Sequence, residues 1–126
     1  METKRRKLTK NEREFIYKKY DGHCAYCGCE LRYQDMQVDH LIPLNGYFIQ
    51  GKDVIENMMP SCRSCNNYKR SSQLEGFRMM LENMPHALMR DSVTYKNAVR
   101  YGLVIPNPHE VEFYFEKVMR LKEMGE

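Results

Sequence analysis

The 126 residues contain no tryptophan, few prolines and glycines, and no apolar run approaching the roughly 20 residues needed to cross a bilayer. The longest apolar fragments, such as Leu103-Val104-Ile105, are far too short. The basic start Met-Glu-Thr-Lys-Arg-Arg-Lys is not followed by an apolar stretch of signal-peptide length, so export by that route is not expected. A strong net charge is also missing: 20 Lys and Arg face 17 Asp and Glu, a balance of +3 that does not by itself announce a nucleic-acid binder. The length excludes a large multidomain enzyme, and the ordinary apolar content excludes a wholly disordered chain. What remains is one small soluble module whose core is thin and whose fold gains from an added clamp.

Five cysteines are present, and four of them form two C-x-x-C pairs, Cys24-Ala25-Tyr26-Cys27 and Cys62-Arg63-Ser64-Cys65. In a reducing compartment such pairs point to metal before disulfide. A two-residue gap lets both thiolates of a turn reach one ion, and two such turns complete a four-cysteine site for structural Zn2+. The fifth, Cys29, could replace Cys27 as a ligand, but symmetry with the second pair favours Cys27 and leaves Cys29 as a free or buried thiol. The segment between the pairs is longer than a compact zinc finger requires, so something is inserted there.

Charge is uneven despite its small total. Residues 1–20 carry eight basic and three acidic residues, and residues 21–61 carry six acidic and two basic, giving +5 and −4. Arg63, Lys69 and Arg70 then stand unopposed. Two basic segments flank an acidic middle, a pattern suited to an anionic polymer held at its edges and a cation held at the centre; a solvated basic helix face is the plainer alternative.

Thr9 with Glu12 forms a capping box that predicts a basic helix over 10–20, stopped at Asp21-Gly22. Ser72 with Glu75 predicts a second helix through Phe77, Met80 and Leu81 to a break at Pro85. A third is expected over 92–101, ending at Gly102. A last one is expected from Asn107-Pro108 with Glu110, placing Val111, Phe115, Val118 and Leu121 on one face. The middle reads as β: Met36–Ile42 as one strand and Asp53-Val54-Ile55 as its return. Tyr47, Phe48 and Ile49 lie in the loop between, placed to pack the hairpin or stack on DNA.

The series Cys24-x-x-Cys27, Val38-Asp39-His40-Leu41-Ile42-Pro43-Leu44, Glu56-Asn57 and Pro60-Ser61-Cys62-Arg63-Ser64-Cys65-Asn66-Asn67-Tyr68-Lys69 closely resembles the HNH endonucleases. The resemblance covers Cys24 to about Arg70. It implies an α+β fold, a small ββα-metal core clamped by the four-cysteine zinc site, with motif positions His40, Asn57 and Asn66. The division it suggests is a basic N-terminal helix over 1–22, a nuclease core over 23–72 and a helical C-terminal extension over 73–126. The implied activity is metal-dependent hydrolysis of DNA, with His40 as general base, Asp39 and Asn66 holding a catalytic Mg2+ or Mn2+, and Asn57 fixing the loop that orients His40. Residue chemistry agrees: a neutral imidazole accepts a proton near pH 7, and carboxylate and amide oxygens suit a hard cation. Adjacent strand residues point to opposite sides, so Asp39 and His40 share one site only if the strand ends or bends there. Lys69, Arg70, Arg63, Arg5 and Arg6 are the expected phosphate contacts. Family analogy adds a bacterial or phage-infected cytoplasm as the setting. It also adds phage packaging proteins as partners, with no membrane, while one site per chain makes a homodimer the alternative partner for a double-strand break. The competing reading is a non-catalytic zinc-ribbon DNA-binding module, which would need the cysteines but would have no use for Asp39, His40, Asn57 and Asn66 together.

Overall fold

A computed structural model describes residues 6–46 and 49–125; Arg5, Tyr47 and Phe48 lie outside the described residues. The elements run α1 (Lys10–Lys18), β1 (Gln37–His40), β2 (Met58–Ser61), α2 (Arg63–Lys69), α3 (Leu74–Asp91), α4 (Val93–Arg100) and α5 (Tyr114–Met124). Helices thus combine with one two-stranded antiparallel sheet, and β1, β2 and α2 form a ββα unit of α+β class. No helix among the described residues is long and apolar enough to cross a membrane.

The chain divides into two compact units. One takes in residues up to Leu74 and, again, residues from Glu112 onward; the other is Glu75–Val111. In the first unit, α1 begins where its sequence says it should. Thr9 accepts from the Glu12 N–H at 3.1 Å while Glu12 accepts from the Thr9 N–H at 3.0 Å, so two orphan donors are satisfied reciprocally. Ile16 is fully buried, and the basic side chains beside it dock the helix: Lys19 Nζ donates to the Ile55 and Met58 carbonyls at 2.7 and 2.6 Å, and Arg13 to those of Tyr33 and Met36. Part of the positive charge counted in this segment therefore serves the fold. Burial lowers the Lys19 ammonium pKa below its ordinary value, against the opposing pull of Glu56.

The return strand is Met58–Ser61, not Asp53–Ile55, which leads instead into a 3-10 turn at Ile55–Asn57. Met58-Met59-Pro60-Ser61 carries no β-branched residue, so its strand character comes from burial at all four positions. In register, Asp39 pairs with Met59 and His40 with Met58. Proline is tolerated in β2 because β2 is an edge strand, and its carbonyl is used: the Ala25 N–H donates to Pro60 O at 2.8 Å, joining the first cysteine turn to the hairpin.

The last helix starts later than expected. Residues 107–112 are not helical. The N–H groups of Tyr114 and Phe115 donate to the carbonyls of Tyr26 and Ala25 at 3.0 and 2.8 Å, burying Phe113 and Phe115 against Tyr26. Two aromatic rings entering the core outweigh the local Asn-Pro signal, and the helix begins only once they are placed. Gly28, at φ +80°, is needed on two counts, since a Cβ there would sit 2.6 Å from the Tyr114 ring.

Within the second unit, α4 is capped by Ser92 and closes before Gly102, as the sequence indicates. Glu82 accepts the Val111 N–H at 2.8 Å, and Arg78 donates to the Val111 carbonyl. Helix α3 does not break at Pro85 but continues to Asp91. A proline inside a helix costs one backbone hydrogen bond, and α3 tolerates that loss.

Candidate active site and cysteine cluster

Strand β1 ends at His40. This is why two adjacent residues, Asp39 and His40, line one cavity, together with Asn66 from α2 and Arg70 just beyond it. The cavity has a volume of about 220 Å³ and is predominantly polar. Asp39 and His40 are 4% and 5% exposed, so neither is a solvated surface residue.

The Asp39 carboxylate is held from two directions. Tyr26, inside the first cysteine turn, donates its hydroxyl to Oδ2 at 2.5 Å, and Lys69 Nζ lies 2.9 Å from the same oxygen. Burial first, then the Asp39 charge and this hydrogen bond, push the Tyr26 phenol above its ordinary pKa, so it stays a donor. The Lys69 side chain is fully buried and donates a further bond to the His40 carbonyl at 3.0 Å. Its ammonium is thus committed inside the fold, tying α2 to the end of β1, and is not presented to a phosphate as the sequence suggested. Asp39 Oδ1 has no hydrogen bond among the described residues. Asn66 Nδ2 donates to Gln37 Oε1 at 3.3 Å, which leaves its amide oxygen as an acceptor beside the same cavity. A carboxylate oxygen and an amide oxygen form a donor set that suits a hard divalent cation completed by phosphate and water.

Tyr26→Phe keeps the ring packed against Phe113 and Phe115 and removes only the hydroxyl. A hydrogen bond to a charged acceptor contributes about 1.5–3 kcal/mol, so the urea midpoint should fall accordingly. An unchanged midpoint would show that the bond does not stabilise the fold.

Asn57 acts on the backbone. Its Oδ1 accepts from the Ile42 N–H, and its Nδ2 donates to the Ile42 and Lys52 carbonyls, each at 2.9 Å. Gly51 fits between these loop segments because a Cβ there would lie 1.9 Å from the Ile42 carbonyl oxygen. Asn57 thus pins both ends of the loop that follows His40 and does not line the cavity.

His40 has one partner that residue patterns did not reveal: its Nε2 lies 2.8 Å from Asp53 Oδ1. Asp53 Oδ2 in turn accepts the Arg6 backbone N–H at 2.5 Å. Burial tends to raise the Asp53 pKa, but the bonds from Arg6 and His40 prevail and hold it below the ordinary carboxylate value. Arg6 Nη1 lies 2.7 Å from Glu12, so this cation too is engaged within the protein. Arg63 and Arg70 are exposed, and Arg70 Nε donates to the Asn67 carbonyl at 3.2 Å. Arg70 adopts φ +50°, a conformation that costs a non-glycine residue about 1–3 kcal/mol, where α2 stops at the cavity.

The four sulfurs of Cys24, Cys27, Cys62 and Cys65 all lie within 4.8 Å of one another and are placed to hold a metal ion such as zinc. Cys27 Sγ and Cys62 Sγ are 3.8 Å apart; a tetrahedron with Zn–S bonds of about 2.3 Å has edges of about 3.8 Å. The hydrogen bond from Cys65 draws the Cys24 thiol toward thiolate, and the same contact, with burial, holds Cys65 up. Cys29 is exposed beside Cys27 and outside this group.

Residues 24–72 match the family model described as HNH endonuclease. Among solved structures, the crystal structure of the Type II-C Cas9 enzyme from Actinomyces naeslundii is similar, with a TM-score of 0.50 and 20% identity over 62% of this chain. The match spans 9% of that chain, and at this identity the likeness is one of fold. None of the curated proteins matches the chain.

Proposed function

We propose that this chain, which carries an HNH endonuclease domain at residues 24–72, hydrolyses DNA phosphodiester bonds with His40 as general base. The observation that carries the reading is the single cavity in which β1 and α2 bring together Asp39, His40 and Asn66. Asp39, through Oδ1, and Asn66, through its amide oxygen, would hold Mg2+ or Mn2+. When bound, such an ion supplies positive charge against the scissile phosphate and the leaving oxygen. His40 takes a proton from the attacking water, a role for which a neutral imidazole is suited. Tyr26 and Lys69 hold Asp39 in place, so the carboxylate needs no reorganisation when a phosphate arrives. Arg70, which lines the cavity, supplies a phosphate contact there, and exposed Arg63 at the start of α2 supplies one for the flanking strand. The cysteine cluster holds structural Zn2+, clamping the first turn to the start of α2. One such site cuts one strand; a double-strand break requires two successive nicks or a second copy.

Purified protein incubated with supercoiled plasmid and Mg2+ or Mn2+ is expected to yield nicked circles, and excess EDTA to stop the reaction. Binding without cleavage across several divalent ions and both duplex and single-stranded DNA would instead favour a zinc-ribbon binding module.

A further inference from the structure

We propose that Asp53, fixed by the backbone N–H of Arg6, is a positioning residue that decides which nitrogen of His40 carries the proton. The proposal rests on the reading of His40 as the base. An imidazole has two nitrogens, and in the neutral ring one donates and the other accepts. Asp53 Oδ1 is 2.8 Å from Nε2, and an ionised carboxylate can only accept, so the proton resides on Nε2. Nδ1 is then the atom with a lone pair. It is the one buried side-chain nitrogen or oxygen among the described residues that has no hydrogen-bond partner in the protein. The ring lines the cavity of Asp39 and Asn66, and also a smaller one of about 120 Å³ to which Asp53 and Arg6 contribute. A proton leaving the attacking water is received at Nδ1, and the resulting imidazolium has the Asp53 carboxylate as its counter-charge.

Two features hold Asp53 in that position. Asn57 bonds the carbonyl of Lys52, the residue before it, and the Arg6 N–H donates to Oδ2 at 2.5 Å. The Arg6 bond makes a specific demand. In Asp53→Asn, the amide oxygen must stay on the Arg6 N–H, since a backbone donor cannot become an acceptor. The NH2 group then faces Nε2 and donates to it, which moves the ring proton to Nδ1 and blocks the atom that should accept. Asp53→Ala removes the partner but leaves the ring free to keep its proton on Nε2.

The test compares wild-type, Asp53→Asn and Asp53→Ala proteins by single-turnover cleavage at saturating DNA, by KM for DNA, and by 15N NMR of His40 at a pH where the ring is neutral. Wild-type protein should show the Nε2–H tautomer and Asp53→Asn the Nδ1–H tautomer. The cleavage rate of Asp53→Asn should fall by about 10²–10⁴-fold, up to the full contribution of the base that the wrong tautomer disables, with KM unchanged. Asp53→Ala should be less impaired than Asp53→Asn, although it is the less conservative change. A purely structural Asp53 gives the reverse order, and that order, or an Nε2–H ring in Asp53→Asn, overturns the proposal. Absence of cleavage by the wild-type protein would sink the endonuclease reading alone, because the tautomers still decide the role of Asp53.

Discussion

His40→Ala is expected to lower the single-turnover rate of DNA cleavage by about 10²–10⁴-fold, the range over which a positioned general base contributes. The argument is one of geometry before acidity. His40 ends β1, so its ring enters the cavity that Asp39 and Asn66 also line, and its Nε2 is committed to Asp53 while Nδ1 is not committed. Removing the ring leaves Asp53 bonded to the Arg6 N–H, so no bare charge is created. The loss should therefore fall on rate, with zinc content and secondary structure retained. Because Ala also leaves a cavity at a site only 5% exposed, His40→Gln serves as a second variant that nearly fills the space. Circular dichroism and metal analysis establish that both variants are folded. Cleavage at wild-type rates by either folded variant would remove His40 from the mechanism.

The second large effect concerns the cysteines. Binding of structural zinc by small domains is worth about 10–16 kcal/mol in apparent free energy near neutral pH, and whole domains are stable by only about 5–15 kcal/mol. Losing the ion should consequently unfold the first unit and not merely loosen it. Cys62→Ser is the sharpest probe, because it removes one sulfur from the cluster while a serine hydroxyl can still cap α2 by accepting the Cys65 N–H, as Cys62 Sγ does at 3.3 Å. Its zinc content should fall below one ion per chain and its melting transition should shift down or vanish, with the same outcome on strong chelation of the wild-type protein. Cys29→Ser, at an exposed sulfur outside the cluster, should leave both measurements unchanged. A Cys62→Ser protein that melts as the wild type does would count against the clamp.

The cysteine cluster and the Asp39 cavity are physically linked. Tyr26 occupies the second position between Cys24 and Cys27, yet its hydroxyl reaches Asp39, and its ring packs on Phe113 and Phe115. A disturbance of the cysteine turn is thereby passed to the carboxylate that would hold the divalent ion. The returning segment at Phe113–Phe115 closes over the same turn through backbone bonds to Ala25 and Tyr26.

Local chemistry was legible in the residues themselves. Two C-x-x-C pairs require only that turns place sulfurs side by side, and a Thr9–Glu12 capping box operates within one turn of helix, so both carry their meaning in spacing alone. The order of Asp39, His40 and Asn66 within a resemblance to HNH endonucleases likewise pointed to the residues that line one cavity, with Asn57 as the loop's anchor outside it. What depended on distant partners was not readable in this way. Met58–Ser61 became a strand through burial against its pair, while the more β-prone Asp53-Val54-Ile55 did not. The helix expected at Pro108 was displaced to Tyr114 because two aromatic rings had a core to enter. Lys69 follows Asn66 by three residues and looked like a phosphate contact, but its neighbour across the fold is Asp39, and a buried ammonium beside a buried carboxylate stays there. Asp53 and Arg6 are separated by 47 residues, and no spacing rule joins them; a carboxylate whose significance lies in facing His40 has no signature along the chain. The sequence alone marked out the four clustered cysteines, the Thr9–Glu12 cap and a candidate base, since those follow from residue type and short spacing. Tertiary structure alone decided which charges are spent inside the protein and which remain for a substrate, because burial and pairing are properties of three-dimensional neighbours.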